Sequence, residues 1–74
     1  MTPDPALLET AAGWARKAIA QQPLAENLHT LAHLLFKLGK KTEAADYARQ
    51  AVEAAQKERV STQMYEETVA EFSK

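Results

Sequence analysis

Residues 24–56 read LAENLHTLAHLLFKLGKKTEAADYARQAVEAAQ, and this stretch decides the fold. Leu24, Leu28, Leu31, Leu35 and Leu38 recur at three- and four-residue steps, the spacing of one helical face. Ala32, Leu34 and Phe36 broaden that face, leaving few polar positions, so a helix over about 24–38 should lie at the centre of the molecule. Gly39 follows the last leucine, where a left-handed residue commonly ends a helix, and Lys37 in the last turn suits the helix dipole. A second helix, over about 42–58, starts near Thr42 or a residue earlier, with Thr42 available as a cap. Its inner face is Ala44, Ala48, Ala51, Val52 and Ala55; Asp46, Arg49, Glu53 and Lys57 mark the outer one. Small side chains on one helix and leucines on the other allow a close antiparallel hairpin.

Two further helices flank this hairpin. Asp4 is a good N-cap and Pro5 fits the first helical position, so a helix is expected over about 5–21, ended by Pro23. It carries two adjacent apolar rows: Leu7, Ala11, Trp14 and Ala18, beside Leu8, Ala12, Ala15 and Ile19. Trp14 is expected to pack in the core against the central helix, or between repeats, rather than stand as an exposed anchor. Past residue 58, Val60-Ser61-Thr62 reads as an apolar residue followed by a capping pair. A break at 59–61 and a helix over about 62–73, with Tyr65, Val69 and Phe72 inward, therefore fit better than one long helix.

The composition narrows the classes of function. The chain has 74 residues, a single-domain length, with fifteen alanines, two glycines and three prolines. Alanine-rich, glycine-poor composition favours closely packed helices. Hydrophobic gain and chain-ordering cost each come to on the order of 110 kcal/mol at this size, so a partner or further chain would add needed stability. With no cysteine, disulfides, thiolate metal sites and thiol catalysis are excluded. A net charge of -1 gives no basic footprint for nucleic acid. No apolar run approaches membrane-spanning length, so neither membrane insertion nor a secretory leader is expected. Composition does not fix the compartment; cytoplasmic is the default expectation.

The spacing of Ala25, Leu28, Leu31, Ala32, Leu35, Gly39, Ala44 and Ala51 resembles the tetratricopeptide (TPR) repeat. Ala32 stands where that family has glycine or another small residue, and Ala44 and Ala51 match its two characteristic alanines. Ala48 departs from a usual large residue, Lys41 from a common aromatic, and Gln56 from the closing proline. Trp14, Ala18 and Pro23 resemble the second helix and ending of a preceding repeat, and the last helix resembles a solenoid end. The resemblance implies an all-α fold, antiparallel hairpins stacked as a short right-handed solenoid of three or four helices, about a repeat and a half. It also implies a module that binds a protein or peptide, with Asn27, Thr30, His33, Leu34 and Lys37 on the concave side of the central helix. Lys37, Lys40 and Lys41 form a positive cluster suited to an acidic peptide or a carboxylate, although a soluble turn reads the same way. Two other roles fit the pattern: a terminal cap of a larger helical protein, or a homodimerisation module.

Little in the sequence points to catalysis. Ser61 has no histidine-based triad near it in sequence, and there is no glycine-rich phosphate loop. Glu26, His29 and His33 lie within two turns, and His29 and His33 are an i,i+4 pair that could in principle hold Zn²⁺. With two imidazoles and no cysteine, a solvated or partly packed helix face is the better reading. No enzyme activity, cofactor or metal is expected.

Overall fold

The structure is a computed structural model that describes residues 4–73. The chain forms four helices: α1 (Pro5–Gln21), α2 (Ala25–Lys37), α3 (Lys41–Glu58) and α4 (Gln63–Phe72). The described residues contain no strand, so the fold is all-α. None of these helices is long and apolar enough to cross a membrane.

The helix ends show how local chemistry sets the elements. Asp4 takes an extended conformation and its carboxylate accepts from Ala6 N–H at 2.9 Å, as an N-cap does. Gln22 is extended ahead of Pro23, which ends α1. α2 closes on Gly39 at φ +84, with Gly39 N–H donating to Phe36 O and Lys40 N–H to Leu35 O. α3 closes by the same double hydrogen bond, Arg59 N–H to Gln56 O and Val60 N–H to Ala55 O. There the left-handed residue is Arg59, at φ 60, where an L side chain is disfavoured. Arg59→Gly should therefore raise stability by about 0.5–1 kcal/mol in a urea titration.

Two expected caps do not form. Thr42 lies inside α3, which begins at Lys41 after Lys40, and Thr62 precedes α4 without a side-chain cap bond. The break at residues 59–61 is present, but its cause is the left-handed turn at Arg59 rather than a threonine cap. The start of α2 is also unusual, because Leu24 in the N-cap position has no side-chain oxygen to offer. Glu58, at the far end of α3, supplies it: Ala25 N–H donates to Glu58 Oε2 at 2.7 Å. A carboxylate at a helix N-terminus satisfies an orphan donor and suits the dipole. Glu58→Ala should cost about 1 kcal/mol in chemical denaturation, and Glu58→Gln less.

Consecutive helices pack on one another, with the α2–α3 contact the most extensive. Leu31 and Leu35 of α2 are fully buried. They meet a shelf made by Ala44, Ala45 and Ala48 of α3, with Ala32 beside them. Ala51 and Ala55 continue the buried row along α3. α4 is held by Phe72, whose ring stacks on Phe36 with centroids 4.3 Å apart. Tyr65 and Val69 are half-buried, in keeping with their expected inward placement. Thr68, a polar residue, is buried between them.

Trp14 does not pack against α2. Its side chain is 70% exposed, as is Leu7 at 69%. The two apolar rows of α1 compete for α2, and the row containing Ala12, Ala15 and Ile19 wins. Alanines let the backbones approach closely, whereas tryptophan would hold them apart. Ala12 is accordingly buried, and the Leu7–Trp14 row is turned toward solvent.

Candidate functional site

The outward row of α1 is the largest departure from an ordinary domain surface. Leu7 and Trp14 lie two turns apart on one face, with half-buried Ala11 and Ala18 between and beyond them. At 100° per residue these four side chains fall within about 60° of arc, while Glu9 and Arg16 lie on the opposite side of the helix. An exposed tryptophan in an apolar row with no charge of its own is characteristic of association surfaces.

A second cluster joins α2 to α4. His29 Nε2 lies 3.0 Å from Thr68 Oγ1, and His33 Nε2 lies 3.1 Å from His29 Nε2. Thr68 Oγ1 donates to the Met64 carbonyl at 3.1 Å, and the single His29 Nε2 atom faces both Thr68 Oγ1 and His33 Nε2, its donor or acceptor role set by the tautomer. The rings are edge-packed: His29 against His33 and Tyr65, His33 against Phe72. Burial pushes the His29 pKa below its usual value, and the neighbouring His33 charge pushes it the same way. Among the described residues no three His, Cys, Asp or Glu side chains converge on a point that could hold a metal ion. The two imidazoles join α2 to α4 through their contacts with Tyr65, Thr68 and Phe72.

That joint makes stability depend on pH. Because the folded chain disfavours protonated His29, its contribution is whole above about pH 6.5 and is lost as pH falls through the lower folded-state value. The melting temperature should be lower at about pH 5.5 than at pH 7.5. His29→Gln should flatten that difference, and an unchanged slope would show that another group is responsible.

The five residues expected to line a concave surface on the central helix are divided by the fold. Asn27 is half-buried and its Nδ2 donates to the Gln22 carbonyl at 3.1 Å, tying down the α1–α2 turn. Leu34 packs on the core, and His33 lies against the edge of α4. Thr30 is exposed, with its hydroxyl donating to the Glu26 carbonyl, and Lys37 is exposed at the end of α2. Only Thr30 and Lys37 point freely to solvent without engaging another helix. Lys40 and Lys41, the other members of the positive cluster, are exposed as well. Tyr47 is half-buried against the core, and Ser61 is exposed.

An open groove of about 510 Å³ runs between α3 and α4, with Val52 and Val69 on its floor and Arg49, Glu53 and Glu66 on its rim. Arg49 already faces Asp46 at 3.4 Å, an exposed pair worth tenths of a kcal/mol.

The α1 face was missed from sequence because both of its rows are apolar at helical spacing; only residue size distinguishes them. No protein-family model, no curated protein and no solved structure matches the chain.

Proposed function

We propose that this chain is a non-catalytic protein-association module on the helical-repeat plan, binding a protein or peptide partner through a helix surface. The observation that carries the reading is the Leu7–Trp14 face, which leaves two large apolar side chains in water on a domain small enough to need every buried contact. The antiparallel α2–α3 pair supports the TPR-like part of the reading: Ala32, Ala44 and Ala51 are fully buried, and Gly39 sits in the turn. In such arrays each hairpin leaves an apolar face that the next element covers.

The test compares an affinity-tagged chain with its Leu7→Glu/Trp14→Glu variant in extracts of the source cell. Proteins retained by the first and lost by the second, with helicity unchanged by circular dichroism, would support the reading. Identical retention by both would contradict it.

A second reading, a terminal cap of a larger helical protein, is favoured by the difference between the two ends. α4 exposes mainly polar residues, Gln63, Glu66, Glu67 and Glu71 beside Met64, whereas α1 exposes the two large apolar side chains Leu7 and Trp14 next to Thr10 and Lys17. A polar last helix and an open first helix are what the end of an array requires. Under that reading a preceding helix of the same protein covers Trp14.

A further inference from the structure

We infer that the exposed α1 face is closed by the same face of a second copy of this chain, the two α1 helices lying antiparallel across a two-fold axis. The inference rests on the association reading above and names its partner.

The row Leu7, Ala11, Trp14, Ala18 advances by four, three and four residues, the step of a helix–helix seam. Its side chains alternate large, small, large, small. An antiparallel copy centred between Ala12 and Gly13 sets Leu7 against Ala18 of the partner subunit and Ala11 against Trp14 of the partner subunit. Every large side chain then faces a small one, on both sides of the axis. A parallel, in-register pair would set tryptophan on tryptophan and leave gaps at the alanines. The row is thus complementary to itself in one orientation, as an isologous two-fold contact demands.

Charge permits the contact. The seam itself has no charged residue, and Glu9 and Arg16 lie on the far side of the helix. Lys17 flanks the seam, and the antiparallel register separates the two lysines by roughly 13 Å along the axis. Antiparallel helix dipoles also favour this orientation over the parallel one.

Area sets the strength. Leu7 and Trp14, each about 70% exposed, offer on the order of 300 Å² per copy. Two copies with the flanking alanines stay below the roughly 1,200 Å² of a stable interface. The dimer should therefore be weak, half-formed at hundreds of micromolar rather than nanomolar concentration.

Sedimentation velocity from about 5 to about 500 µM tests this, alongside emission of Trp14, the single tryptophan of the chain. The expected result is a concentration-dependent rise in weight-average mass with a matching blue shift. Trp14→Glu should remain monomeric over the whole range with an unchanged helical spectrum. Orientation is read from single cysteines in this cysteine-free chain. Ala11→Cys, near the axis, should oxidise to a covalent dimer, whereas Gln21→Cys, far from it in the antiparallel pair, should not. Cross-linking at position 21 but not 11 would overturn the antiparallel arrangement. A wild-type chain that stays monomeric at the highest concentration would overturn the second copy as occupant. In that event, capture of a different protein through Leu7 and Trp14 would leave the association reading standing, and loss of both would end it.

Discussion

Leu35→Ala is expected to cost about 3 kcal/mol and to leave the chain largely unfolded on modest warming. Leu31 and Leu35 are the largest fully buried side chains, and Leu35 belongs to the cluster that joins Ala12 of α1, the alanines of α3 and Phe72 of α4. Truncating it removes the transfer energy of the side chain and leaves a cavity that four short helices cannot collapse without losing one another. A chain of this size holds roughly 4–11 kcal/mol in all, so the loss is a large fraction of the whole. Urea titration by helicity at 222 nm should show a much lower midpoint at unchanged slope. Leu7→Ala is the control. The residue type is the same, but the side chain is 69% exposed, and the shift should stay within about 0.5 kcal/mol. Equal effects from the two substitutions would mean that the core does not run where it is described.

Ala32→Leu acts in the opposite direction and should cost about 1–3 kcal/mol or more. Ala32 is fully buried on α2, and Ala44 and Ala48 are fully buried in the same cluster from α3. Added methylenes there must push α2 and α3 apart, and α4 would lose its seat because Phe72 packs against residues of both helices. Calorimetry should show a lower melting temperature, and near-ultraviolet dichroism a weaker tyrosine signal from Tyr65 and Tyr47. A neutral or stabilising Ala32→Leu would rule out the close approach of α2 and α3.

Much of this architecture was readable from residue types. The leucine row of α2, the alanine row of α3, Gly39 and the Pro5 and Pro23 boundaries fix α1, α2 and α3 within a residue or two of where they lie, and α4 falls within a residue of the expected 62–73 although Thr62 makes no side-chain cap bond. Each rests on a local rule that tertiary contacts reinforce. What was not readable depended on comparing faces across space. The apolar rows of α1 are equal in pattern, and only the closer approach allowed by Ala12 and Ala15 turns Trp14 outward. The cap of α2 by Glu58 spans thirty-three residues, a distance no local motif encodes. The break at 59–61 was legible from Val60-Ser61-Thr62, but its left-handed cause at Arg59 was not, because arginine is not a residue that normally marks such a turn. The proposed association face therefore lies on α1, whereas the residues singled out on the central helix are shared among a turn, the core and the edge of α4.

The proposed association depends most on Trp14 standing in water on the isolated chain. Acrylamide quenching of its fluorescence in dilute solution tests that directly. The fold described here predicts quenching and an emission maximum close to those of free indole, turning protected only as concentration rises. A shielded, blue-shifted tryptophan in dilute protein would place the ring against α2 and remove the surface on which the proposed association stands.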